Sequence, residues 1–171
     1  MDLRKNILTA LLIAIGFILH QVIPGILGAM KFDIMLSVIF VCLLVNTNMK
    51  NILMTALLGG FITAMTTTFP GGQIPNIIDK IITCLVIYMI IKGMEKYKKN
   101  IIFVGFIGLV GTIISGTVFL YSASLIVGLP ASFKVLFLGV VLPTSFFNTI
   151  ATVIVYNAVK VALKHSRIEM A

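Results

Sequence analysis

The sequence predicts an all-α, polytopic membrane protein of six transmembrane helices with both termini in the cytoplasm. Three observations predict it. The first is composition: of 171 residues, 60% are hydrophobic and 11% charged, and the mean hydropathy is +1.17. A soluble domain of this length has too much surface for its volume to hide so many apolar side chains, so lipid must solvate most of them. The second is spacing: long apolar runs alternate with short polar breaks. The third is charge placement. With the N-terminus inside, ten Lys and Arg fall on inner segments and three (Lys31, Lys80, Lys134) on outer ones. Such an excess in short inner connections sets orientation in bacterial membranes.

The six spans are placed at roughly 5–23, 32–46, 51–69, 75–92, 101–126 and 133–163. Span one follows Arg4-Lys5 and ends at Pro24-Gly25, a helix-stop pair; with no small-residue cleavage site it is expected to be a membrane helix rather than a cleaved leader. Spans two and four, at 15 to 18 residues, would reach only about 22–27 Å, short of the ~30 Å hydrocarbon core. Short helices beside irregular outer loops suggest a cavity open on one side. Span five carries Gly105, Gly108, Thr112 and Ser115 or Gly116 at helical spacing, a stripe that lets backbones pack closely in lipid. Span six contains Pro143, which predicts a kink. The whole chain reads as a single integral membrane domain. No internal repeat is evident, so an inverted-repeat transporter is not supported.

The most informative stretch is Phe69-Pro-Gly-Gly-Gln-Ile-Pro-Asn-Ile-Ile-Asp-Lys80. It holds helix breakers, two amides (Gln73, Asn76) and one charge of each sign (Asp79, Lys80). Polar, broken segments between apolar helices are costly unless buried in protein or lining a wet cavity. His20, Gln21, Lys31, Asp33, Thr66 to Thr68 and Lys134 fall in the same outer half, so a binding site open to the outside is the simplest reading. Asn76 has Asp79 and Lys80 at i+3 and i+4. These two charges either hold the ends of a zwitterion or pair elsewhere, for example with Lys31 and Asp33. On span six, Ser145, Asn148 or Thr149, Thr152 and Tyr156 form a stripe. Asn148 either faces a ligand or satisfies a carbonyl freed by the Pro143 kink. Ala10 and Ala14 form a small-xxx-small pair, serving either internal packing or docking to another membrane protein.

Several function classes are excluded. The net charge of +8 is spread over tails and connections without a basic, aromatic-interleaved patch, so nucleic acid is not the partner. Cys42 and Cys84 lie in apolar runs without metal-ligand spacing and read as core thiols. Neither a metal nor another cofactor is expected. No glycine-rich phosphate loop is present, so the chain cannot hydrolyse ATP by itself. Among candidate nucleophiles none has a histidine placed to serve it, and the protein is expected not to be an enzyme. An intramembrane enzyme using His20 and a non-transporting scaffold are the competing classes.

Gly72-Gln-Ile-Pro-Asn-Ile-Ile-Asp-Lys80, Gly28-Ala-Met-Lys-Phe-Asp-Ile-Met-Leu36 and Leu125-Ile-Val-Gly-Leu-Pro130 resemble the TrpP-type tryptophan transporter family, as do Val141-Leu-Pro143 and Asn148-Thr149. The resemblance spans about residues 5 to 163, with departures at Ala29 and Phe32. That family is similar to the substrate-binding (S) components of energy-coupling factor (ECF) transporters. The resemblance implies an S-component-like fold in the bacterial plasma membrane and capture of L-tryptophan from outside. It also implies partnership with an ECF transmembrane coupling protein and two ATPase subunits. By position it points to Gln73, Asn76, Asp79, Lys80 and Asn148 as ligand contacts, and to Ala10 and Ala14 as a docking pair. The residues agree on ligand type: Asp79 offers an acceptor for an ammonium, Lys80 a cation for a carboxylate, and twelve Phe and nine Met a greasy slot. An indole N–H would suit Asn76 or Gln73. Another aromatic or vitamin-like solute would be served similarly.

Overall fold

A computed structural model describes the backbone of residues 3–22, 25–27, 30–31 and 33–166, and the side chains of 5–22 and 33–164. The helices are α1 (Leu3–Val22), α2 (Met35–Val45), α3 (Met49–Met65), α4 (Gln73–Gly93), α5 (Ile101–Ile126), a single turn α6 (Phe133–Leu136) and α7 (Leu142–Ser166). A π-helical turn, Phe137–Val141, joins α6 to α7, so these make one long sixth span. Between α1 and α2 a two-stranded antiparallel hairpin, Gly25–Leu27 with Met30–Lys31, is an addition to the expected all-helical fold.

Helix ends follow from local chemistry. Asn48 caps α3 by accepting from the Lys50 amide at 3.0 Å, and Asn100 caps α5 by accepting from Ile102 at 2.9 Å. Pro75 sits in the first turn of α4, where its missing N–H would have had no intrahelical partner. Gly71, at φ 71°, supplies the left-handed turn that lets the chain enter α4.

Three expected spans change. Span two is shortened to α2, and all eleven of its residues are buried. A helix hydrophobic all round belongs in the middle of a bundle. Here α2 is that centre, touching α1, α3, α4, α5 and α7. Span three ends at Met65 rather than residue 69, because Thr66 to Gly72 form the outer loop. Span four is not short: α4 has 21 residues, starting two residues earlier at Gln73. Span five is found as expected.

The outer shell is apolar. Ile7, Leu11, Ile15, Ile18 and Val22 on α1, and Phe146, Phe147, Ile150 and Ile154 on α7, are exposed, as side chains facing lipid should be. Close approach inside depends on small residues. A Cβ on Gly108 would lie 3.0 Å from the Cα of Thr149 and 3.1 Å from the carbonyl oxygen of Asn148, so α5 meets α7 backbone to backbone.

Candidate functional site

Six of these helices, α1 to α5 and α7, and the loop after α3 enclose a cavity in the outer half of the bundle. Its charged wall is built from three elements. Lys80, on α4, places Nζ 2.5 Å from Asp79 Oδ2 and 2.6 Å from Asp33 Oδ2. Asp79 is then filled by hydroxyls: Ser115 donates to Oδ2 and Thr83 to Oδ1, both at 2.8 Å. His20, near the outer end of α1, brings Nδ1 to 3.4 Å from Asp33 Oδ1. Lys80 and Asp79 are each 1% exposed as side chains, whereas Asp33 is 20% exposed. Both carboxylates line the cavity; Asp33 is the more exposed of the two, and Asp79, buried and hydrogen-bonded at both oxygens, anchors Lys80. Two carboxylates against one ammonium leave a charge of −1 when His20 is neutral and zero when it is protonated.

Asn148 explains how Asp33 is held. Its amide donates to the Asp33 carbonyl at 3.0 Å and to the Thr112 hydroxyl at 3.1 Å, tying the segment before α2 to α5 from α7. Its amide serves these two groups rather than a carbonyl beside Pro143; just before the proline, the Leu142 amide bonds Phe137, the fifth-preceding residue, in the π turn. Asn148 thus lies beneath the cavity rather than on its wall.

Of the other expected residues, Asn76 lines the cavity. Its amide nitrogen donates to the Gly72 carbonyl at 2.8 Å, which leaves the side-chain oxygen as the acceptor. Gln73 is exposed at the start of α4 and is not on the wall. The side chain of Lys31 lies outside the described residues. Ala10 and Ala14 are both exposed, either side of the middle of α1, and neither packs inside this chain.

The opposite wall is apolar: Leu36, Phe69, Phe119, Val140 and Val141, with the Phe69 and Phe119 rings edge-to-face at 5.4 Å. Hydroxyls of Thr63, Thr67 and Thr144 complete it. The sequence reading missed most of this wall. It assigned Thr112 and Ser115 to the packing stripe of α5, although Thr112, Ser115 and Phe119 share one helical face and all line the cavity. The cavity measures about 80 Å³, smaller than the ~150 Å³ void that accepts a benzene. It must widen before an indole can enter.

A polar, ion-paired cavity at membrane depth is a hallmark of transport pathways rather than of lipid-facing scaffolds. Comparison with known proteins decides which. The family model "Tryptophan transporter TrpP" matches residues 2–164. The chain belongs to the TrpP tryptophan transporter family. It is 43% identical over 164 residues to a "Probable tryptophan transport protein" of Clostridium acetobutylicum, covering 96% of both chains. It is 42% identical over 166 residues to a protein of the same description from Bacillus subtilis, covering 97% of this chain and 96% of that one. A third, from Clostridium perfringens, is 39% identical over 179 residues, covering 97% and 98%. No solved structure matches. Membership makes this chain a multi-pass protein of the bacterial cell membrane and a transporter rather than an enzyme.

Proposed function

We propose that the protein binds L-tryptophan from the outer side, in the cavity between α1, α2, α3, α4, α5 and α7, and delivers it to the cytoplasm. The observation that carries this reading is the Lys80–Asp33 pair facing an aromatic and aliphatic wall. A zwitterion can insert into an ion pair without changing the net charge. The substrate carboxylate takes Lys80, the substrate ammonium takes Asp33, and Asp79 keeps Lys80 in place. This moves the ammonium acceptor from Asp79, the residue favoured by sequence, to Asp33, because both Asp79 oxygens already accept hydrogen bonds. His20 borders the same carboxylate. The indole stacks in the slot of Phe69 and Phe119, with the Asn76 oxygen as an acceptor for its N–H. Gln73, exposed at the start of α4, and Lys31, on the hairpin, are not assigned a contact in this reading, and Asn148 supports Asp33 from below.

The energy source in this reading is an ECF module. The exposed Ala10 and Ala14 would let a coupling protein approach α1 closely, and two ATPases would supply the hydrolysis this chain lacks.

The chain contains no tryptophan, so a bound tryptophan is the only indole present. Titrating the purified protein into L-tryptophan, excited at the red edge to avoid the four tyrosines, should give a saturable blue shift as the excited indole leaves mobile water. Indole analogues should compete and aliphatic amino acids should not. A flat titration with folded, ligand-free protein would return the choice to another aromatic or vitamin-like solute, or to a scaffold.

A further inference from the structure

A second, larger concavity lies at the opposite, inner end of the bundle, between the start of α1, the α2–α3 connection and the turn after α4. Its volume is about 700 Å³. Lys5, Lys50 and Lys98 line it, against the single carboxylate of Glu95. The N-terminus of α3 opens onto the same space and adds the positive end of its dipole. Lys98 is buried and donates to the Thr47 hydroxyl. Its pKa is lowered, first by burial and then by Lys5 and Lys99, while Glu95 acts in the opposite sense. An anion seated here would relieve that strain. The groove is not polar throughout. Leu53, Met54 and Leu57 form one wall, and all three are exposed on the lipid-facing side of α3. A cationic end thus continues into an apolar track running up the membrane, at the depth where inner-leaflet lipid changes from headgroup to acyl chain.

We propose that this groove seats one anionic phospholipid of the inner leaflet, its phosphate among Lys5, Lys50 and Lys98 and an acyl chain along Leu53, Met54 and Leu57. A soluble anion would use the lysines but gain nothing from the apolar wall. A zwitterionic lipid would fit the wall but bring no net charge to the lysines. The site is separate from the outer cavity, so it stands or fails independently of tryptophan binding.

Native mass spectrometry of the detergent-purified full chain tests it, with dioleoyl-phosphatidylglycerol as probe, and with dioleoyl-phosphatidylcholine and inorganic phosphate as comparisons. One phosphatidylglycerol should be retained saturably, phosphatidylcholine should not, and millimolar phosphate should not displace it. A lysine near an anionic headgroup contributes about fivefold in affinity, so Lys50→Gln should weaken retention by about that factor and Lys50→Gln with Lys98→Gln by roughly twenty-five-fold. Leu57→Asn should weaken it with the lysines intact. Lys50 is exposed, so its single variant keeps the test decisive should the buried Lys98→Gln fail to fold. Lys92→Gln with Lys160→Gln removes the same charge from inner positions outside the groove and should leave retention unchanged. Equal loss in that control overturns the proposal in favour of diffuse attraction. Displacement by phosphate assigns the site to a soluble anion and also overturns it. Retention unaffected by Lys50→Gln and Leu57→Asn shows that the groove belongs to something else, such as a protein partner.

Discussion

At the residue scale the decisive group is Lys80, a full charge held at 1% exposure by two carboxylates. Breaking a buried pair by removing one partner leaves an uncompensated charge and costs about 3–5 kcal/mol. Lys80→Met leaves Asp33 and Asp79 facing each other across the gap. It should lower thermal stability in detergent markedly and abolish tryptophan binding. The two carboxylates should differ. Asp33→Asn removes the proposed ammonium acceptor at the cavity surface, so binding should fall by more than tenfold with a modest stability loss. Asp79→Asn removes the anchor of Lys80 together with the acceptor for Ser115 and Thr83. It should cost more stability than Asp33→Asn, and its binding loss should be accompanied by a lowered melting temperature. Parallel melts and fluorescence titrations of both variants check this. A stable Asp79→Asn with lost binding, beside a fully active Asp33→Asn, would restore the direct role to Asp79.

At the element scale, the contact between α5 and α7 depends on the absence of a side chain at Gly108. A Cβ there would come within 2.9 Å of the Thr152 hydroxyl and 3.0 Å of the Thr149 Cα. The backbone atom cannot swing away as a side chain would, so the helices must part. Overpacking of this kind costs about 1–3 kcal/mol. Gly108→Ala should lower the melting temperature. Because the same shift pulls Asn148 from Thr112 and Asp33, it should weaken tryptophan binding too. Gly93, at the end of α4, has nothing within 4 Å of an added Cβ, and Gly93→Ala should be close to neutral. Equal melts for the two variants would show that α5 and α7 slip past each other more easily than the close contact implies.

At the scale of the whole molecule, binding and transport should separate. The cavity lies in the outer half, whereas Ala10 and Ala14 are exposed around the middle of α1 and are not part of its wall. Ala10→Leu with Ala14→Leu adds bulk where the proposed coupling protein approaches and leaves the cavity wall untouched. In cells uptake should be lost, while the purified variant should titrate L-tryptophan as the unmodified chain does. Loss of both together would mean that α1 cannot tolerate the bulk for reasons inside the bundle. Normal uptake would argue for an energy source that does not dock on this face.

What the sequence determined by itself is whatever depends on solvent and local chain chemistry. Its apolar runs, the polar breaks between them and the asymmetry of Lys and Arg require spanning helices of one orientation, because unpaired backbone in lipid and misplaced charge are both costly. Asn76, Asp79 and Lys80 were legible as a site for the same reason: charge at membrane depth needs a partner. What only the tertiary structure decided is who the partners are. Lys80 lies on α4 and Asp33 in the segment before α2, and nothing local in either shows that Lys80 bridges Asp33 and Asp79, or that Ser115 from α5 completes Asp79. Likewise α2 reads as a lipid-crossing span, because a helix apolar on every side looks the same whether lipid or five other helices surround it. Hydropathy records that a side chain leaves water; the packing of the bundle determines whether it then meets lipid, a neighbouring helix or a cavity.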